Sequence, residues 1–246
     1  MSSSATFLPV NTVVELGKLG PEMSDSDVDA LMEAIPKAFR VVCLAAGHDK
    51  DPVNKVITKF RDSGRRSPPT SHHSKIVPGR PQNAADGNRA NRWTLPSDHK
   101  YYATRRDAQL VEIKYFLQAL SFSNAPEVPN EDAAGAFTWL LGHELKPGEY
   151  LDPIMLRSPD FDAFLAHPRM ITSGHLHPLA RFGRHEAANT FLMLDRSNTL
   201  QNDLTFDEFL ALIEDILLRQ AEIGIVPDVN KLPADQFLEG VVGDTE

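Results

Sequence analysis

A chain of 246 residues, 41% of them hydrophobic, can bury one large core or two small ones. Its single cysteine, Cys43, excludes an internal disulfide and any zinc knuckle built on cysteines. No stretch approaches the roughly 20 apolar residues of a membrane span, and the first residues lack the pattern of a secretory leader, so a reducing cytoplasm and no membrane partner are expected.

The net charge of −9 argues against a polyanionic partner until its distribution is considered. Residues 59–106 hold eleven Lys and Arg against three acids (Asp62, Asp86 and Asp98), a local charge of +8, and the remainder of the chain carries −17. A basic face on an acidic body is the electrostatic footprint of polyanion binding.

In chain order, residues 1–23 read as a loose or strand-like entry. Ser24 or Asp25 can cap a helix in which Val28, Leu31, Met32 and Ile35 recur at helical spacing. Pro36 is expected to break or kink it, with a second short segment to about Ala46 that buries Cys43. From Gly47 to Asp98, Pro68-Pro69, Pro78, Pro81 and several glycines interrupt any periodicity, so a long basic arm (about 48–106) is expected. Trp93 within it suits either the core or stacking on a base. Leu110, Ile113, Leu117 and Leu120 mark one face of a helix from about Thr104 to Ser121, with Arg105 and Arg106 in its first turn. The dipole disfavours cations there, a penalty that phosphates or neighbouring carboxylates would offset. A helix over 131–142 would bury Phe137, Leu140 and Leu141, and Ser158-Pro159-Asp160 is a helix start. Thr205 and Glu208 form a capping box ahead of a long amphipathic helix that Gly224 would stop.

Chemistry concentrates between Met170 and Asp203. Met170–Leu176 can be a strand ending in a histidine, 177–188 a polar loop containing Gly183 and His185, Thr190–Leu194 a second strand, and Asp195–Asn202 the start of a helix. That order places His175 at the end of the first strand, Asn189 at the entry to the second, and Asn198 on the helix crossing both. His177 forms a His-x-His pair with His175, as in metal sites of barrel hydrolases, but that fold needs more strands downstream than this chain has room for.

These residues resemble the HNH (His-Me finger, ββα-metal) endonucleases: His175, Gly183 with His185, Asn189 with Leu192, and Asn198 occur in the family's order over about 35 residues. The resemblance implies an α+β fold, a mainly helical body with a small ββα-metal finger. The domains would be a DNA-binding body over 1–150 and, over 151–246, the nuclease finger with a supporting C-terminal helix. It implies hydrolysis of double-stranded DNA to 5′-phosphate ends; a restriction type, a homodimer if its site is symmetric, is the leading subtype, and homing, phage-packaging and defence nucleases share the same finger. His175 would be the general base, Asn198 a ligand to one Mg²⁺ or Mn²⁺, and Asn189 a brace for the loop; no structural zinc is expected. Arg65, Arg66, Lys75, Arg89, Arg92, Arg105, Arg106 and His185 are the expected DNA contacts. The sequence departs from the family at Gly174, where an Asp ligand usually precedes the histidine. Either the metal is held by one Asn with water and phosphate, or a distant carboxylate (Asp152, Asp160 or Asp195) completes the site, or the chain is a DNA-binding regulator that does not cut.

Overall fold

The structure, a computed structural model, describes residues 7–68 and 89–224. It is mainly helical with one small antiparallel two-stranded sheet. The first residues described form a helix, not a strand: α1 (Leu8–Gly17) buries Val10, Val13 and Val14. Ser24 caps α2 (Asp25–Ala45) in a reciprocal pair with Asp27, whose N–H lies 3.2 Å from Ser24 Oγ. Pro36 lies inside α2 without breaking it. Burial of Ile35, Ala38, Phe39 and Val42 on either side compensates the one N–H that proline lacks.

The expected long arm is shorter than its composition implied. Its first quarter is helix α3 (Lys50–Ser63), which buries Val53, Val56 and Phe60 at helical spacing. Past α3 the chain pairs briefly with its own return: Ser67 N donates to Ala90 O (2.8 Å) and Arg92 N to Arg65 O (2.9 Å). Thr104 then caps α4 (Arg105–Ala119). The sequence marks one apolar face on α4, but it is enclosed on nearly all sides, with Glu112, Lys114 and Gln118 buried alongside Val111, Ile113, Tyr115, Phe116 and Leu117. Around it Phe39, Phe60 and Phe116 pack edge to face at 5.0 to 6.1 Å. Cys43 sits in the same core, its thiol pushed up to about 12 by burial.

The single helix expected over 131–142 is two short turns, α5 (Ala133–Ala136) and α6 (Thr138–Leu141), ended by Gly142 at φ 80°. Asp160, not Ser158, caps α7 (Phe161–Ala166), leaving Pro159 outside the helix to accept from Ser123 N. Strands β1 (Ile171–His175) and β2 (Thr190–Leu194) pair antiparallel, and α8 (Asp195–Gln201) follows. The described residues up to Thr205 form one compact unit. α9 (Phe206–Glu222) belongs to a second unit; Gly224 lies just past its end at φ 73°. Among the described residues no helix is long and apolar enough to cross a membrane.

Candidate active site

The hairpin β1–β2 aligns Ile171 with Leu194 and His175 with Thr190. Side chains alternate along a strand, so Ser173 and His175 share a face, and both line a cavity of about 440 Å³. Gly174 faces the other way. A Cβ there would collide with Sδ of buried Met193, so a carboxylate at 174 could not fit without repacking the hairpin.

Two buried polar side chains, Gln201 and Asp152, hold this hairpin to α8, and a third, Asn189, clamps its loop. Gln201 Nε2 shares its hydrogens among the carbonyls of His175 (3.0 Å), Leu176 (3.0 Å) and Leu204 (3.1 Å), tying the end of β1 to the helix that bears Asn198. Asp152 accepts from the backbone N–H of Leu194 (2.7 Å), Ile154 and Met155, and from the Ser197 hydroxyl (2.8 Å). Asn189 clamps the intervening loop: its Oδ1 accepts from His177 N (2.7 Å) and its Nδ2 donates to His177 O and Arg184 O. From beneath, Lys114 of α4 donates to Ala187 O (2.6 Å) and lies 3.6 Å over the Phe191 ring. Burial pushes Lys114 down to about 7.

The chemistry of His175 is set by its neighbours. His185 Nε2 lies 2.7 Å from Gly64 O, which can only accept, so that nitrogen bears the proton. Neutral His185 then has a bare Nδ1, and this accepts from His175 Nε2–H at 3.1 Å. His175 is left with a lone pair on Nδ1 that has no partner among the described residues, on a side chain lining the cavity. Burial, reinforced by the positive Arg92, pushes His175 down to about 3 and His185 well below the usual imidazole value. Both rings are therefore neutral at pH 7.

Around the same cavity stand Arg66, Arg89, Arg92 and Lys100, the carboxylates Asp62 and Asp203, and the carboxamides Asn198 and Asn202. The structure thus brings His175 and Asn198 to one cavity and uses Asn189 as a clamp on the loop between the strands. The expected DNA contacts divide. Arg66 and Arg89 line the cavity, each also bonded to Asp62, Arg66 to its side chain and Arg89 to its carbonyl. Arg92 does not reach outward: it is 3% exposed, its guanidinium bonded to Gly64 O, Tyr101 O and Ser63 O. His185 is 1% exposed with both ring nitrogens engaged, so it positions His175 and is not a phosphate contact. Arg65 pairs with buried Glu112 at 3.0 Å. Arg105 and Arg106 are engaged by Asp29 (2.6 Å) and Asp25 (3.0 Å) of α2, the carboxylate answer to their unfavourable place at a helix start, and neither lines the cavity. Lys75 lies outside the described residues, as do His72 and His73. The carboxylates considered as replacements for position 174 are elsewhere: Asp152 is consumed by four hydrogen bonds, Asp160 caps α7, and Asp195 does not line the cavity.

Sequence reasoning missed Gln201, Gly64, Asp62 and Asp203. Only Gln201 carried a local signal, a polar residue one helical turn beyond Asn198 on a short helix.

No protein-family model matches the chain, and no curated protein matches it. Among solved structures it is similar to one described as a type II restriction endonuclease, at 18% identity and a TM-score of 0.49, over 74% of this chain and 82% of that one.

Proposed function

We propose that the chain is a metal-dependent endonuclease of the HNH type that hydrolyses phosphodiester bonds of double-stranded DNA, as restriction enzymes do. The observation that carries this is the unpartnered Nδ1 of neutral His175, on the same cavity as Asn198 and the cations of Arg66, Arg89, Arg92 and Lys100. A phosphate entering such a cavity meets positive charge on its oxygens and a base for the attacking water. His175 Nδ1 takes the proton of that water; His185 and Gly64 O hold the ring in the tautomer that permits it. Arg66 and Arg89 orient the phosphate as hydrogen-bonding cations, and Arg92, fixed by three carbonyls, keeps the ring neutral.

The donors fit a hard cation and not a soft one. The wall offers carboxamide and carboxylate oxygens and no thiolate; no group of three or more His, Cys, Asp or Glu placed to hold a metal occurs among the described residues, so water and phosphate oxygens would have to complete the ligand set. Asn198 would hold Mg²⁺ or Mn²⁺, with Asp62, Asp203 and Asn202 as the remaining oxygen donors in reach of the cavity. When bound, the cation would neutralise the departing alkoxide as a Lewis acid. On a symmetric duplex site the enzyme would act as a homodimer.

The test is plasmid cleavage with Mg²⁺ or Mn²⁺. His175→Ala is expected to lower the rate by about 10²- to 10⁴-fold, the usual worth of a general base, and to retain duplex affinity. Duplex binding by the wild type without any cleavage would instead assign the chain to non-cutting regulators.

A further inference from the structure

We infer that Phe182 is a base-contacting wedge, an apolar finger that stacks on or inserts at a base step of duplex DNA beside the phosphate held in the cavity. The inference rests on the endonuclease proposal above and extends it to a residue outside the catalytic groups.

Phe182 is 96% exposed and lies outside the hydrophobic core, an unusual condition for so large an apolar ring. It also occupies the left-handed region, φ 68° and ψ 12°, where Gly or Asn is the economical choice and a bulky residue is strained. The strain is imposed by a tied loop. Leu179–Arg181 form a 3₁₀ turn in which Arg181 N and Gly183 N both donate to Pro178 O, at 2.9 and 3.0 Å. His177 Nε2 donates to Arg181 O at 2.7 Å, and Asn189 fixes both ends of the segment. Gly183 is pressed so closely on the start of the loop that a Cβ would lie 2.7 Å from the His177 carbonyl carbon. A firmly bonded turn therefore presents an aromatic ring to solvent in a strained backbone, with no return from packing in the free protein.

Location and charge select the partner. Pro178, Leu179 and Ala180, the residues just before Phe182, line the same cavity as His175 and Asn198. Arg181 and Arg184 flank the ring in sequence, and Arg66, Arg89 and Lys100 stand around the cavity. An apolar ring two residues beyond the wall of a cavity lined by Arg66, Arg89 and Lys100 as well as Asp62 and Asp203 suits a ligand that alternates negative phosphates with flat π faces, which is DNA, better than it suits the neutral apolar patch of a protein.

The experiment measures duplex affinity as a function of salt, without Mg²⁺ or Mn²⁺, for the wild type, Phe182→Ala, Phe182→Trp and the pair Arg66→Gln with Arg89→Gln, each also melted thermally. Phe182→Ala is expected to bind roughly tenfold more weakly at every salt concentration, because stacking releases no counterions, and so to leave the log–log salt slope unchanged. Phe182→Trp should retain affinity, and the arginine pair should flatten the slope. Melting of Phe182→Ala should match the wild type, since the ring packs on nothing. Equal affinity of wild type and Phe182→Ala, with both binding well, would overturn the wedge and leave the endonuclease proposal intact. A wild type that binds no duplex at all would overturn both, and a change in sedimentation confined to Phe182→Ala would assign the ring to contact between copies of the chain instead.

Discussion

At the scale of single residues, the proposed mechanism makes His185 decide whether His175 can act as a base. Its two nitrogens pass one hydrogen-bonding direction from Gly64 O to the His175 ring, so the His175 proton is confined to Nε2. A side-chain amide can play both parts, accepting through oxygen and donating through nitrogen. His185→Gln is therefore expected to keep most of the activity, whereas His185→Leu should lose at least about tenfold in rate, within the usual worth of general-base catalysis. Long-range ¹⁵N–¹H spectra separate positioning from mere stability. The wild type and His185→Gln should show His175 as the Nε2–H tautomer, and His185→Leu should populate Nδ1–H. A folded His185→Leu with the wild-type tautomer and rate would remove His185 from the mechanism.

At the scale of elements, Gly64 joins α3 to α4 and to the site. Its φ of −74° is ordinary, so the requirement for glycine is steric. A Cβ would lie 2.6 Å from Glu112 Cβ and 2.8 Å from Glu112 Cα on α4. Gly64 O is also the shared acceptor of Arg92 (3.0 Å) and His185 (2.7 Å). Gly64→Ala should destabilise the fold by about 1–3 kcal/mol through overpacking. It should also lower cleavage well beyond what that fraction unfolded explains, because the carbonyl that orders both side chains must move. Urea melts beside cleavage rates check this; a purely proportional loss would mean the site tolerates the shift.

The same elements show what sequence patterns carried. Short apolar runs on either side of a polar, glycine-containing loop were enough to place β1, β2 and the start of α8, because so few residues between turn signals leave room for strands and not for full helices. α3 escaped notice because Val53, Val56 and Phe60 are sparse among charged residues and sit next to a proline-rich stretch. Pro36 was expected to break or kink α2, and the helix continues through it because packing on both sides outweighs one missing hydrogen bond. Asp152 looked like a spare carboxylate in sequence, and four donors in the fold account for it.

At the scale of the whole molecule, buried titratable groups make stability depend on pH. His175 and His185 stay neutral in the native state, while the unfolded chain protonates them near the ordinary value of about 6.5. Below that pH the unfolded state binds more protons, so their contribution is complete above about 6.5 and is lost as the pH falls toward the depressed native values. Glu112 acts in the opposite sense, since burial pushes it up to about 7 and the native state then holds its proton longest. Below about pH 6.5 the two histidines lower stability on acidification and Glu112 offsets part of that loss, so stability should fall as the pH falls through this range. Denaturant melts across that range should show this slope, and His185→Gln should reduce it. An unchanged slope would mean that His185 titrates normally in the folded protein. Cleavage should follow the same logic, holding level through pH 6.5 and falling only at more acidic pH.

The sequence by itself determined that a histidine ends a strand, that two asparagines follow it at spacings compatible with a hairpin and a helix, and that positive charge gathers in one stretch of an acidic chain. Those properties are local, and local periodicity and composition express them. Only the tertiary structure decided which cations line the cavity with His175, which nitrogen of its ring is bare, that Gly174 points away from the cavity, and that Asp62 and Asp203 line it while Asp152, Asp160 and Asp195 do not. Each of these depends on atoms more than ten residues apart meeting across α3, α4 and the hairpin, and no spacing along a chain encodes the direction in which such side chains meet.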